Sequence, residues 1–335
     1  MLRQIVNKRI AIGLLVLMLI LAGIAEYANQ PFRAKQFILL ASNQSDWPEF
    51  SIFATLPDGS KMRKIGKGYD PSCSPDGTQI AFVKPVSSGS SPRSISYSQI
   101  FIMDSNGNDK IQLTSNPSNA SQPSWSPDGQ RLAFMSYTIE ILDLETLEVT
   151  RPFEQSGLNV SDPVWSPTGD RLVFSAIDVK SETRVLYIST IDGSNLHQFT
   201  DGDDEKPAWS PDGKHIAFLH IETSDQEGRS EESTVLRTMD LSRESWHDFQ
   251  FPPGVQIYSG PKWSPDGQHV LIVGSRLITT SLGKESRNAI YSIDVGSSTL
   301  SIILTAKNTL GIDPPGWFPV SRQVHFQNLD WCFTQ

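Results

Sequence analysis

Acidic and polar side chains recur at one position along the chain, directly before the proline of a repeated Pro-x-Trp-Ser-Pro-Asp-Gly block. Carboxylates that converge on a pore favour cationic peptide segments or divalent ions, because low-dielectric walls concentrate their field. The residues that we predict to surround such a channel mouth are Asp70, Gln122, Asp162, Lys206 and Asp313, with Asp204, Glu205 and Tyr258 beside them. The sequence therefore predicts a binding site at this end of the molecule.

Motifs for catalysis are missing from the sequence. It contains no Gly-x-Ser-x-Gly nucleophile motif, no His-Glu-x-x-His zinc motif and no phosphate-binding glycine loop. His215 and His269 each follow the Trp position of a block by six residues, where other copies carry Gln or Arg. We therefore predict a protein that is not an enzyme and has no cofactor, although a divalent cation in the channel would fit the same carboxylates.

Two alternatives stay open on the sequence. A metal-assisted lyase or hydrolase in the central channel would need several imidazoles or carboxylates that converge on one ion. A module that binds envelope polysaccharide would need exposed aromatic rings at the mouth, which Tyr69, Tyr97 and Tyr258 would supply.

The repeated block occurs six times, at intervals of 40 to 54 residues. Pro, Asp and Gly between two apolar runs form a tight turn, because Pro restricts φ, Asp bonds its own backbone and Gly accepts a positive φ. Each block is thus strand, turn and strand, and a second hairpin follows it, which is typical of propeller blades. The blocks begin at Pro71, Pro123, Pro163, Pro207, Pro261 and Pro315.

We predict an all-β protein, a six-bladed β-propeller preceded by one N-terminal hydrophobic helix. A hairpin from Ser51 lacks an inner partner and the last block, at Trp317, lacks an outer one, so the two ends of the chain are expected to complete one blade and close the ring. Large aromatic side chains of the blocks should pack between neighbouring blades. These residues are Trp125, Trp165, Trp209, Trp263 and Trp317.

Three long connections should lie on the same face as the channel mouth, because they join the middle strands of their blades. They cover residues 85–98, 221–233 and 275–287. Their Ser, Gly and charged residues predict exposed, mobile loops.

The Trp-Ser-Pro-Asp-Gly block followed by Ile-Ala-Phe, together with the Asp-Gly…Leu-Thr ending at Asp192 to Thr200, resembles the repeat of TolB-like β-propellers. The resemblance spans residues 37–327 and implies a binding scaffold rather than an enzyme. TolB itself carries an α/β domain ahead of its propeller, and residues 1–36 are too few for one. We therefore expect an exported scaffold that binds a protein or peptide partner in the cell envelope.

The N-terminal segment predicts export. Arg3, Lys8 and Arg9 precede an uncharged apolar run from Ile10 to Ala25, of a length between a signal peptide core and a full membrane span. We predict a signal anchor or a cleaved signal peptide over residues 1–30, a linker over 31–36 and the propeller over 37–335. The propeller is then periplasmic or otherwise extracytoplasmic, tethered to the membrane by a single N-terminal transmembrane helix.

The charge of the chain argues against nucleic acid as a partner. Residues 1–30 contribute +2 to the formal charge of −9, which leaves −11 on the rest. Attraction to phosphates is the main term in nucleic-acid binding, so an acidic propeller binds it poorly.

The chain has two cysteines, Cys73 and Cys332. Cys73 takes the Trp position of the first block and Cys332 follows the last block, so their blades should be neighbours. In an exported protein a disulfide between them would close the ring. The alternative is a buried Cys73 that substitutes for Trp and a separate Cys332 in the tail.

Overall fold

A computed structural model describes residues 36–43, 50–87, 95–115, 118–177, 183–226, 229–280, 283–305 and 325–333. The predicted N-terminal helix, Asp313 and Trp317 lie outside these residues. Within the described part of the chain, no helix is long and apolar enough to cross a membrane.

The described residues form six antiparallel sheets, which are the six blades of a β-propeller. The prediction of an all-β, six-bladed propeller is confirmed. In chain order the strands are β1 (Gln36–Asn43), β2 (Ser51–Thr55), β3 (Arg63–Lys67), β4 (Tyr69–Cys73), β5 (Gln79–Ser87), β6 (Ser96–Asp104), β7 (Ile111–Gln112), β8 (Ser121–Trp125), β9 (Arg131–Met135), β10 (Ile139–Asp143), β11 (Val149–Thr150), β12 (Asn159–Trp165), β13 (Arg171–Ile177), β14 (Arg184–Thr190), β15 (His197–Gln198), β16 (Asp204–Trp209), β17 (His215–Gln226), β18 (Arg229–Asp240), β19 (Ser245–Phe249), β20 (Val255–Ile257), β21 (Lys262–Trp263), β22 (His269–Thr280), β23 (Gly283–Asp294), β24 (Thr299–Thr305) and β25 (His325–Phe333).

Five blades follow one plan, in which consecutive strands run from the channel outward. The first four have the orders β4-β5-β6-β7, β8 to β11, β12 to β15 and β16 to β19. The fifth has a divided inner strand, because β20 and β21 both pair with β22, which is followed by β23 and β24.

The two ends of the chain complete the sixth blade and close the ring, as the sequence predicts, but the strands of this blade are arranged differently from the prediction. Its order is β25-β1-β2-β3, so three strands come from the start of the propeller and one from its end. The predicted arrangement of two hairpins is wrong, because β1 takes the second position and pairs with β25 from Gln36↔Phe333 to Asn43↔His325. The inner strand therefore begins in the last two residues of the worn block, His325 and Phe326, and continues beyond it.

The middle strands are buried on both faces. Ile80, Ala81, Phe82 and Val83 are successive residues of β5, and all four are 0% exposed. Alternate residues point to opposite faces of a sheet, so both faces of the blade are covered by neighbouring blades. This explains why the second strand of each block reads as a continuous apolar run and not as an alternating one.

Three of the block Trp residues connect their blade to the one before it. The indole N–H groups of Trp125 and Trp165 donate to the carbonyls of Ser72 and Ser124, at 3.1 Å in each case. Trp263 donates to the Ala208 carbonyl in the same way, also at 3.1 Å. These Trp side chains are at most 8% exposed, so their bonds are buried and hold neighbouring inner strands together.

A disulfide takes the place of this bond at the ring closure. Cys73, at the Trp position of the first blade, is joined to Cys332 on β25, with a Cα–Cα distance of 5.5 Å. The bridge links residues 259 apart in sequence. It therefore connects the two ends of the ring covalently, at the same inter-blade position where three other blades use an indole.

Removal of this disulfide should destabilise the ring. We expect Cys73→Ala with Cys332→Ala to lower the free energy of unfolding by about 2–4 kcal/mol, since cross-links that close long loops restrict the unfolded chain most. Urea denaturation with and without a thiol reductant measures this change in the free energy of unfolding. The reductant should lower the midpoint for the natural chain and leave the double variant unchanged; equal midpoints for the natural chain under both conditions would contradict the prediction.

Candidate functional site

The residues before the block prolines adopt an uncommon backbone conformation. Asp70, Gln122, Asp162 and Lys206 have φ values of 48°, 55°, 53° and 55°, in the left-handed region that residues with a Cβ rarely occupy. At each of these positions the pairing of the inner strand with the second strand shifts in register. The same β-bulge thus recurs in four blades, and a recurring bulge redirects a side chain.

The redirected side chains line a cavity in the centre of the ring. Its volume is about 360 Å³, within the range of small-molecule and peptide side-chain pockets. Five equivalent prolines form an apolar collar around it, and polar side chains are placed among them. The lining residues are Asp70, Pro71, Gln122, Pro123, Ser124, Asp162, Pro163, Val164, Lys206, Pro207, Tyr258, Ser259, Gly260, Pro261, Lys262 and Leu329.

Hydrogen bonds between blades order the acidic side of the cavity. Gln122 donates from its side-chain amide to Asp162 Oδ1 at 2.7 Å and accepts from the backbone N–H of Asp162 at 3.0 Å. Asp70 Oδ2 accepts from the backbone N–H of Gln122 at 3.3 Å. The three side chains therefore form one connected arc across the first three blades.

Burial raises the pKa of Asp162 above the ordinary value of 3.8. Desolvation of the carboxylate is the largest cause, and Glu205 adds to it. Hydrogen bonds from Ser161 and Ser175 and the positive charge of Lys206 oppose the shift without cancelling it. The pKa of Asp162 is thus set by several opposing partners and not by one. A cationic ligand group would favour the charged form of this carboxylate.

Lys206 forms the opposite side of the cavity. Its ammonium group donates to the Tyr258 carbonyl at 2.9 Å and lies 3.4 Å from Glu205 Oε1. Glu205 also pairs with Arg184 at 2.9 Å. A Cβ on Gly260 would lie 2.8 Å from Cβ of Lys206, so glycine at this position leaves room for the lysine to cross to the next blade.

Two predicted mouth residues, Asp204 and Glu205, do not line the cavity. Asp204 does not line it; the residue is 2% exposed, and its Oδ1 lies 2.7 Å from His220 Nδ1 on the paired strand. The reason is the register, which places these two residues directly opposite each other before the bulge. Asp313 lies outside the described residues.

Sequence reasoning missed Lys262 and Asp330. Lys262 lines the cavity, and its ammonium group lies 3.8 Å from Asp330 Oδ1. Asp330 Oδ2 accepts from the backbone N–H of Cys73 at 2.8 Å, and desolvation, opposed by Lys262, raises its pKa above 3.8. Lys262 directly precedes Trp263 of the fifth block and could have been identified from that position, whereas Asp330 could be found only if β25 were recognised as the inner strand.

The three tyrosines at this end have different surroundings. Tyr258 lines the cavity, is 39% exposed and hydrogen-bonds through its hydroxyl to Ser275. The hydroxyl of Tyr69 lies 2.6 Å from Ser98 Oγ, and desolvation raises its pKa above 10.0. Tyr97 is half-buried on β6. Among the described residues, Tyr258 is the tyrosine that a ligand in the cavity would meet.

Two of the predicted mobile loops are instead continuous hairpins. Pairing of β17 with β18 runs to Gln226↔Arg229, and pairing of β22 with β23 runs to Thr280↔Gly283. In the first blade β5 and β6 pair as far as Ser87↔Ser96. Ladder hydrogen bonds come from the backbone, so Ser-rich and charged segments can extend a strand where composition alone indicates a loop. The extended hairpins continue their strands at the mouth end of the fourth and fifth blades.

The histidines are dispersed. The ring of His215 lies 6.2 Å from the Trp263 ring, and His269 Nε2 lies 3.8 Å from Asp294. In the part of the chain that the structure describes, no three His, Cys, Asp or Glu side chains are grouped as metal ligands would be.

Comparison with known proteins identifies the repeat. A family model described as the TolB beta propeller domain matches residues 77–274. The chain belongs to this family. TolB from Acinetobacter baumannii is 18% identical, with a TM-score of 0.64 over 90% of this chain and 67% of that one. A putative TolB from Agrobacterium tumefaciens is 15% identical, with a TM-score of 0.55 over 81% of this chain and 89% of that one.

Propellers of other proteins have a similar fold. Hydrazine synthase from Kuenenia stuttgartiensis is 11% identical, with a TM-score of 0.60 over 85% of this chain and 46% of that one. Likeness at such identities concerns the fold alone. No match was found among curated proteins.

The raised pKa of Asp162 in this TolB-type propeller has a measurable consequence. Below pH 3.8 the carboxyl is protonated in both folded and unfolded chains; as pH rises, the unfolded chain loses the proton first and the folded state loses relative stability. We therefore expect the melting temperature of Asp162→Asn, relative to the natural chain, to increase from pH 3 toward neutrality, by roughly a few degrees. Thermal denaturation followed by circular dichroism measures this difference.

A control variant at another aspartate should show a stability difference that changes with pH in the opposite direction. Hydrogen bonds from Thr190 and Ser194 lower the pKa of Asp192 from 3.8 to about 2, so its carboxylate stabilises the fold above 3.8 and this contribution is lost as pH falls toward 2. Asp192→Asn should therefore lose stability, relative to the natural chain, as pH rises. Parallel pH profiles for the two variants would show that burial of Asp162 has no such effect.

Proposed function

We propose that this chain is a non-enzymatic propeller scaffold that binds a segment of a protein partner at the channel mouth. The TolB-like propeller fold supports a scaffold or protein-interaction role in a broad sense. The observation that carries the finer proposal is the recurring left-handed backbone at Asp70, Gln122, Asp162 and Lys206. Four blades hold this uncommon conformation to present polar side chains to one cavity, and such conformations cluster at ligand sites.

The chemistry of the cavity suits a polypeptide. The proline collar offers apolar walls without N–H donors, while Asp70, Gln122, Asp162 and Lys206 supply both acceptors and donors. A peptide needs this combination, since its side chains seek apolar surface and its backbone carries a donor and an acceptor at each residue. Hydrogen bonds already fix the Gln122 and Asp162 side chains, which reduces the entropy lost when a partner binds.

The charges of the cavity favour a segment with both signs. Carboxylates of Asp70 and Asp162 belong to the first and third blades, whereas the ammonium groups of Lys206 and Lys262 belong to the fourth and fifth. A segment with a basic side chain toward Asp70 and Asp162 and a carboxylate toward Lys206 and Lys262 would match this field. This refines the cationic peptide that the sequence predicts, because sequence reasoning did not include Lys262.

The proposal places the partner in the cell envelope. The basic residues and apolar run of residues 1–30 support export, and the TolB-like propeller family supports a periplasmic location. A tether through the N-terminal segment would hold the propeller at the membrane surface. No cofactor or nucleic acid is part of this function.

Crosslinking in envelope extract tests the proposal. The full chain is compared with Asp70→Asn plus Asp162→Asn, which removes two charges and keeps an acceptor oxygen at each position. Glu145→Gln plus Glu148→Gln is the matched control, since both carboxylates are exposed on the outer turn of the second blade. We expect one partner to be crosslinked to the mouth in the natural chain and the control, and the yield to fall about tenfold or more in the Asp variant.

Mass spectrometry of the crosslink identifies the partner segment. A segment that carries basic and acidic side chains together, and whose synthetic peptide competes with the crosslink, would support the proposal. Equal capture by all three proteins, or retention of envelope polysaccharide that is lost on Tyr258→Ala, would contradict it.

A further inference from the structure

The wall around the channel mouth differs in height from blade to blade. The second strand of a blade runs from the block turn toward the mouth, and the third strand returns from it. Strands β9 and β10 of the second blade have five residues each, whereas β5 and β6 of the first blade have nine. The corresponding strands of the fourth and fifth blades, β17, β18, β22 and β23, have twelve each.

These differences in length become differences in height, because the hairpins start at equivalent positions. In each of these four blades the second strand begins six residues after the Trp position of its block. At about 3.3 Å per residue, the second blade extends roughly 13 Å less far than the first and roughly 23 Å less far than the fourth and fifth. The second blade therefore leaves a gap in the wall.

We call this gap the blade-two notch; it is formed by the turn of Ser136, Tyr137 and Thr138 between β9 and β10. The backbone N–H of Ser136 donates to the Thr138 carbonyl at 2.9 Å, which closes the turn on itself. Oγ of Ser136 lies 2.9 Å from Oγ of Ser118, a 5% exposed residue in the segment that precedes β8. The turn is thus anchored to the buried part of its blade.

The side chain at the top of the notch is aromatic. Among the large hydrophobic side chains of the described residues, Tyr137 has the highest exposed fraction, 85%. A tyrosine with so little burial contributes little to the core of the blade. On a fixed turn it offers a large contact area with only two side-chain torsions to order, which is why tyrosine is common in protein-binding surfaces.

The notch adjoins the polar side of the central cavity. That side comes from the first three blades, and Gln122 of the second blade is its middle member. Ser121, next to Gln122, pairs with Met135, two residues before Tyr137. Neighbouring strands lie about 5 Å apart and an extended residue spans about 3.4 Å, so roughly three or four residues of an extended peptide connect the cavity to Tyr137.

The opposite side of the cavity has the high wall. Blades follow one another around the ring in chain order, so the fifth blade faces the second across the channel. The long hairpins of the fourth and fifth blades rise on this side, where Lys206 and Lys262 line the cavity. A polypeptide in the cavity therefore meets a lower wall over the second blade than over the fourth or fifth.

We propose that the partner segment leaves the cavity over the blade-two notch, as an extended polypeptide with a basic side chain beside Asp70 and Asp162 and an apolar side chain on Tyr137. This inference rests on the proposed function and deepens it, because it states the path of the segment and a contact outside the cavity. The two carboxylates attract the basic side chain, and the exposed ring loses apolar surface to water when the segment packs on it. Tyr137 is then a specificity-determining residue although it does not line the cavity.

Photo-crosslinking of the full chain in envelope extract tests this path. A benzophenone amino acid takes the place of Tyr137 in one protein, of Tyr258 in the cavity in a second, and of Leu147 in a third. Leu147 is the matched control, since it is 64% exposed on the β10–β11 turn at the opposite end of the same blade. We expect the probes at 137 and 258 to label one partner, at positions within about ten residues of each other in its sequence, and the control to give only background labelling.

Truncation of the ring measures its share of the binding. With the probe at position 258, Tyr137→Ala should reduce the yield of the crosslink about fivefold or more, as expected for an aromatic anchor. Tyr137→Phe should retain the yield within about twofold, since the ring keeps its apolar area. Leu147→Ala should behave like the natural chain, and equal melting temperatures of the variants would exclude unfolding as the cause.

The outcomes separate this inference from the function on which it rests. Labelling from position 258 without labelling from 137, or an unchanged yield in Tyr137→Ala, would overturn the path over the notch and leave the scaffold proposal standing. Labelling of two distant segments of the partner would overturn the path as well. Absence of labelling from both positions would contradict the proposed function, and the path with it.

Discussion

The interaction on which this propeller depends is the burial of both faces of every blade. The side chains of Ile80, Ala81, Phe82 and Val83 alternate between the two faces and are all inaccessible to solvent. A sheet with two apolar faces cannot cover them itself, so each blade requires a neighbour on either side. Only a closed ring gives every blade two neighbours, and the indole bonds of Trp125, Trp165 and Trp263 and the disulfide of Cys73 all act across the interfaces that this requirement creates.

The same constraint produces the candidate site. When blades pack around an axis, their inner strands converge, and whatever stands at the start of these strands meets in the centre. A bulge with a left-handed residue before the block proline turns that residue away from the regular pleat. Asp70, Gln122 and Asp162 can therefore bond one another although each lies in a different blade. The repeat supplies the geometry, and the variable residue within it supplies the chemistry.

Much of the architecture could be predicted from the sequence, because the repeated block carries its own turn and its own apolar register. The Ser-Pro-Asp-Gly turn recurs with Gly129, Gly213 and Gly267 at φ values of 70°, 68° and 69°, as a tight turn requires. The closing blade could be predicted less well from the sequence. Its inner strand, β25, contains only the last two residues of the sixth block, so neither the role of Asp330 nor the pairing of β1 with β25 had a local signal.

The candidate site shows a similar division. Positions next to a block proline could be predicted to meet, since the repeat fixes them. Asp204 could not be separated from Lys206 by sequence alone, because only the bulge between Glu205 and Ala208 decides which residue turns inward. Composition also gave a wrong prediction for the β17–β18 and β22–β23 hairpins. Their polar residues are typical of loops, but backbone pairing continues through them.

The order of strands in the closing blade has a consequence for how the molecule forms. Of the strands described, β1, β2 and β3 are synthesised first and β25 last, yet β25 pairs with β1. Until β25 arrives, the backbone groups along one edge of β1 have no partner, and an unpaired edge is a site of association with other chains. The ring is thus assembled with one open edge for nearly the whole of synthesis, and its final strand converts a chain at risk of aggregation into a closed molecule.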